Sequence, residues 1–150
     1  MTKAEQAKQY FLEGYNCAQA VFLAFANDAK LDKDIAVKIA SSFGGGIGAQ
    51  REVCGTVSGM VMALGLLRGY KDPKDYNAKK QHYAIVQELC KKFKEENGSI
   101  ICRELLGISP KNAENTTTPR QRTKEYYAKR PCADLCACAV NILETYLKNN

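Results

Sequence analysis

The chain has 150 residues, 45% of them hydrophobic, and carries 22 Lys and Arg against 16 Asp and Glu, a net charge of +6. That length suits one domain spanning residues 1–150, with a core large enough to need no staples. The basic residues are scattered rather than interleaved with aromatics, which argues against a nucleic-acid reader.

Lys79, Lys80, Lys91, Lys92, Lys94, Arg120, Arg122, Lys124, Lys129 and Arg130 read as a solvated basic surface. Attraction to an anionic partner stays open. The amino terminus, MTKAEQAKQYF, has charges where a signal peptide needs an apolar run, so a cytoplasmic protein is expected. The longest uncharged apolar stretch, 53–67, is broken by Gly, Thr and Ser. It is shorter than the roughly 20 residues a bilayer requires, so no membrane span is expected.

The patterning predicts an all-α, single-domain helical bundle of seven or eight helices, mostly with antiparallel neighbours. The first helix is expected over 3–13, ended by Gly14. The second is expected over 17–29, with Asn16 as N-cap and Gln19 as its capping-box partner. The third, 34–42, should turn Ile35, Val37 and Ile39 partly inward and stop at Gly44. The fourth, 52–68, is punctuated by Gly55, Gly59 and Gly65. Glycine inside a helix costs roughly 0.5–1 kcal/mol, so close approach by a neighbouring helix is the reason assigned to Gly55 and Gly59.

The fifth helix, 74–96, carries Tyr83, Val86, Leu89, Cys90 and Phe93 as one apolar stripe. A short sixth helix is expected over 100–106, with Ser99 as N-cap. Residues 108–118 read as a loop. The seventh helix is expected over 119–128 and the eighth over 131–147, with Pro131 in its first turn. The lone histidine, His82, reads as a surface residue, and no carboxylate or histidine is placed for acid–base catalysis.

The seven cysteines are the strongest signal. In a reducing compartment such a chain is metal-binding or redox-active more often than stapled. No CxxC pair occurs, which disfavours a zinc ribbon or a thioredoxin-type dithiol. Cys17, Cys54, Cys102 and Cys132 fall in the first turns of the second, fourth, sixth and eighth helices. A helix N-terminus favours an anion, so a thiolate there is expected to be stabilised. If successive helices alternate in direction, these four thiols share one end of the bundle. Cys136, one turn after Cys132, reads as an accessory thiol. Cys90 reads as core, and Cys138 points elsewhere.

The run FGGGIGAQ lacks the GK[ST] ending of a Walker loop and the third glycine of a dinucleotide fingerprint, so no nucleotide is expected. Its glycines are read as a tight turn that delivers Cys54.

The pieces GYNCAQAV at 14–21, GGGIG at 44–48, CGTVSG at 54–59, ICRELLG at 101–107 and RPCADL at 130–135 resemble, in order, the C_GCAxxG_C_C family. The family is regarded as redox-active. The resemblance implies that its four signature cysteines correspond to Cys17, Cys54, Cys102 and Cys132. Thr56 stands where the family tends to have alanine. Cys136 and Cys138 stand where aliphatic or small residues are expected. The family is in turn similar to the cysteine-bearing region of split-Soret cytochrome c, a helical protein associated with an iron–sulfur cluster. This chain lacks CxxCH, so c-type haem is not expected.

Two chemistries follow for a four-thiol site. The thiolates hold an iron–sulfur cluster and the protein carries electrons, or they cycle between dithiol and disulfide as an oxidoreductase or sensor. A zinc or other thiolate-bound metal module is the alternative, and a helical interaction domain with buried cysteines is the bland one. The redox partner is not specified by any residue. Helical bundles often pair, so a homodimer is admissible.

Overall fold

The computed structural model describes residues 1–108 and 117–150. Among them are eight α-helices: α1 (Lys3–Leu12), α2 (Cys17–Ala26), α3 (Lys33–Ala40), α4 (Gly55–Arg68), α5 (Tyr76–Asn97), α6 (Cys102–Leu105), α7 (Lys124–Lys129) and α8 (Cys132–Asn149). There is no strand among the described residues, only an isolated antiparallel bridge between Val53 and Ile101.

Capping fixes most helix starts. Thr2 and Glu5 form a capping box on α1, as Asn16 and Gln19 do on α2. The Asp75 side chain accepts from the Ala78 amide, so α5 starts at Tyr76 rather than at 74. The Thr123 hydroxyl accepts from the Tyr126 amide, so α7 starts at Lys124 rather than at 119. The second and third helices each tighten into a 3₁₀ turn, Asn27–Ala29 and Ser41–Phe43. Pro131 occupies the N-cap position of α8 instead of its first turn.

Helix α2 is the centre of the molecule. All its residues from Ala20 to Ala26 are buried, as expected of a helix covered on every side. It packs against α1, α3, α4 and α8, while α1 also lies along α8 and α5 rests on α4 and α8. A β-carbon at Gly59 would lie 2.7 Å from the Ala18 carbonyl oxygen and 3.0 Å from Val21 Cβ. One at Gly55 would run into Cys17 Sγ. Gly55 thus faces the start of α2 and Gly59 faces its next turn, so α2 and α4 run the same way from a shared N-terminal end.

Two sequence expectations are corrected. In α3, Ala36 and Ala40 turn fully inward against α2 and Val37 is partly buried as expected, while Ile35 and Ile39, on the other face of the helix, stay about half exposed. On α5, Leu89 and Phe93 are buried but Tyr83 is exposed, since the amino-terminal half of this long helix projects past its neighbours. His82 is half-buried, set edge-on against Tyr70 at 5.8 Å, and its Nδ1 is buried without a hydrogen-bond partner. The expected loop falls largely outside the described residues. No helix among the described residues is long and apolar enough to cross a membrane.

Candidate functional site

The glycine run builds the first wall of the site. Gly45, Gly46, Ile47, Gly48 and Ala49 all have left-handed backbone, with φ between 55° and 71°, and Arg51 follows at 62°. Left-handed conformation costs about 1–2 kcal/mol for each residue with a β-carbon, so Ile47, Ala49 and Arg51 store strain. The coil is closed by Gly48 N–H to Ser42 O at 2.8 Å, Arg51 N–H to Gly45 O at 2.9 Å and Glu52 N–H to Gly46 O at 3.0 Å. This is why α4 begins at Gly55 rather than at 52: the preceding residues are wound in the opposite sense. Cys54 is therefore the N-cap of α4.

The coil then passes into a short antiparallel splice. Cys54 N–H donates to Ile100 O at 2.8 Å and Cys102 N–H to Glu52 O at 2.6 Å, flanking the Val53–Ile101 bridge. This splice fixes Cys54 beside Cys102. It also delays α6 to Cys102, because Ile101 is held extended. Ser99 is not the N-cap: its hydroxyl accepts from Ile101 N–H and donates to Glu104.

Cys17 and Cys132 are the first residues of α2 and α8. All four thiols line a single cavity of about 60 Å³, together with Phe11, Asn16, Gly45, Thr56, Leu105, Leu106, Tyr126, Leu135 and three arginines, Arg51, Arg122 and Arg130. No carboxylate among the described residues lines it. Cys54 Sγ lies in a hydrogen bond with Thr56 Oγ1 at 3.1 Å. The residue where the family pattern tends to have alanine thus touches the site. Cys136 is buried just behind, donating to the Cys17 carbonyl at 3.9 Å, and does not line the cavity. Cys90 and Cys138 lie elsewhere. The Cys138 thiol donates to Glu96 at 2.8 Å and accepts from Asn97 at 3.4 Å.

The arginines carry no sequence signature. Arg122 donates to Phe11 O at 2.9 Å and to Tyr15 O at 3.1 Å, and stacks over Phe11 at 4.3 Å and Tyr126 at 5.1 Å. Arg130 also sits over the Tyr126 ring, at 5.2 Å. Arg51 reaches Cys102 Sγ at 3.8 Å. From sequence, Arg122 and Arg130 read as solvated charges; the ring-stacked, half-buried setting is what turns them inward.

The helix-terminus expectation for the thiols is overturned. Burial pushes Cys17 up from its ordinary 9.0 to about 11, repulsion from Cys132 adds to this, and a hydrogen bond from the Gly45 amide opposes it. Burial, then Cys17, pushes Cys54 up to about 12, against the hydrogen bond with Thr56. Burial, then Cys54, raises Cys132 to about 11 while Arg130 pulls it down. Desolvation and mutual repulsion outweigh the helix dipoles, which act only within a turn. As free thiols these groups are protonated at neutral pH. Among the described residues no three Cys, His, Asp or Glu side chains are grouped to hold one metal ion.

No solved structure matches the chain. A protein of Archaeoglobus fulgidus, described as an uncharacterized protein, is 27% identical over 99% of this chain and 98% of its own length. The family model described as "Putative redox-active protein (C_GCAxxG_C_C)" matches residues 15–146, a span that holds all four cavity cysteines. The chain belongs to the C_GCAxxG_C_C family.

Proposed function

We propose that Cys17, Cys54, Cys102 and Cys132 form one redox centre and hold an iron–sulfur cluster, making the protein an electron carrier. The observation that carries this reading is the gathering of four thiols, from four separate segments, around one cavity with three arginines and, among the described residues, no carboxylate. Four cysteines are the usual ligand set of such clusters, which when bound supply one-electron transfer.

The chain's own residues have three tasks in this reading. The thiols give up their protons on binding. Arg51, at 3.8 Å from Cys102 Sγ, offsets negative charge left on the sulfurs. Phe11, Leu105, Leu106 and Leu135 keep the site poor in water. The raised thiol pKa values leave few thiolates at neutral pH, so exchange with outside disulfides is slow and ligation must expel the protons. A reducing, cytoplasmic setting is the compartment in which unpaired cysteines persist.

The test is anaerobic purification followed by iron and acid-labile sulfide analysis and a visible spectrum. A cluster band is expected, and is lost on Ser substitution at each of the four cysteines but kept in Cys90→Ser and Cys138→Ser. A chain that stays colourless after reconstitution with iron and sulfide refutes the cluster. Disulfide formation among the four on mild oxidation of that colourless chain would establish the thiol–disulfide reading in its place.

A further inference from the structure

Resting on the redox reading of the thiol cavity, we propose that its arginine-lined mouth is a binding site for a compact oxyanion. Arg122 and Arg130 both sit against the Tyr126 ring, at 5.1 and 5.2 Å from its centre. Two like charges share one ring, and neither has a carboxylate partner among the described residues. Removing a charge from water without a counter-charge is costly, and guanidinium groups pair best with planar or tetrahedral oxyanions through paired N–H donors. Arg122 is held in place by the Phe11 and Tyr15 carbonyls and by the Phe11 ring, so it is ordered before any ligand arrives.

The shape sets the ligand class. The thiol cavity, at about 60 Å³, admits only a small group. Outside it lies a hollow of about 300 Å³ that shares Tyr126 and Arg130 with the inner cavity and is also lined by Arg120, Gln121, Thr123, Lys129 and Glu125. Drug-sized ligands need roughly 300–1,000 Å³ of enclosed volume, and this hollow is open, so a nucleotide or bulky cofactor would be poorly covered. An anion seated on Arg130 at the junction enters from the basic hollow and stops beside the thiol ring. Glu125, the one carboxylate on the outer hollow among the described residues, disfavours multiply charged ligands that reach beyond the arginines.

Calorimetric titration of the anaerobically purified chain with sodium sulfate and with sodium phosphate, at constant ionic strength, tests this. Saturable one-site binding is expected. It should weaken by about tenfold or more in Arg130→Gln, since charge-assisted hydrogen bonds contribute about 1.5–3 kcal/mol, and recover in part in Arg130→Lys. Arg130 holds no backbone carbonyl among the described residues, so its variants report on the anion rather than on folding; unchanged thermal melts check this. The metal-free Cys17→Ser/Cys132→Ser double variant should still bind the anion. A colourless protein that binds sulfate therefore sinks only the cluster. Absence of saturable binding, equal affinity in Arg130→Gln, loss of binding in the cysteine double variant, or binding seen only with a poly-glutamate peptide each overturns the oxyanion site.

Discussion

The carbonyl oxygen of Ala18 occupies the space that the β-carbon of any residue but glycine would need at position 59, only 2.7 Å from where that carbon would sit. The atom in the way is backbone, so it cannot swing aside. Gly59→Ala should therefore destabilise the fold by about 1–3 kcal/mol, the usual range for overpacking, and Gly59→Leu by more. Gly65 has open space around its missing β-carbon, so Gly65→Ala is the matched control. Equal melting temperatures for Gly59→Ala and Gly65→Ala would refute the close contact.

The pH profile of the reduced, metal-free chain follows from the buried thiols. In the unfolded chain they ionise near 9.0, whereas in the fold Cys17 and Cys132 hold their protons to about 11 and Cys54 to about 12. Between these values the folded state binds more protons than the unfolded one, so stability falls as pH rises. The contribution is fully present below pH 9 and is lost by about pH 12. Urea midpoints should be lower near pH 11 than near pH 8, and the drop should shrink in Cys54→Ser. A flat profile would show that the thiols are not desolvated.

The left-handed coil yields a stabilising substitution. Ile47 is β-branched and sits at φ 65° with its side chain partly exposed. Ile47→Gly should relieve the conformational cost, for a net gain of about 1 kcal/mol. Gly46→Ala should do the reverse, because a β-carbon there would lie 2.6 Å from the Glu52 nitrogen. Thermal denaturation compares the two; a fall in melting temperature for Ile47→Gly would show that the isoleucine side chain is needed.

Arg122 ties the segment before α7 to the end of α1. Arg122→Gln leaves the Phe11 and Tyr15 carbonyls without these donors, at a cost of about 1–3 kcal/mol. Trypsin should cut faster at Lys124 and Lys129 in this variant than in the parent chain. An unchanged cleavage rate would mean the segment is held by the Tyr126 and Tyr127 rings alone.

Much of the helical frame was legible because its signals are local. Asn16 with Gln19, Gly14 after α1 and the apolar run of α2 each act within a turn or two of chain. The placement of Cys17, Cys54, Cys102 and Cys132 at helix starts was legible for the same reason. What escaped was non-local or chirally unusual. The Cys54–Cys102 splice pairs segments from different parts of the chain. The reversed winding at Ile47 and Ala49 goes against the preference of the residues that adopt it. The thiol pKa direction was missed because helix dipoles can be read from sequence, whereas desolvation appears only when distant segments bring Phe11, Leu105 and Leu135 around the thiols. The inward turn of Arg122 depends on rings from both α1 and α7.

The splice and the pairing of α1 with α8 also govern when the site can exist. Cys17 emerges early in synthesis and Cys132 late, and α8 reaches its place only by lying along α1. Until then a nascent chain can present two or three of the thiols but not the closed ring. Assembly of the centre is thus coupled to completion of the chain. A truncated product lacking α8 would leave its remaining cysteines open to solvent and oxidants, a chemical mark by which incomplete chains differ from finished ones.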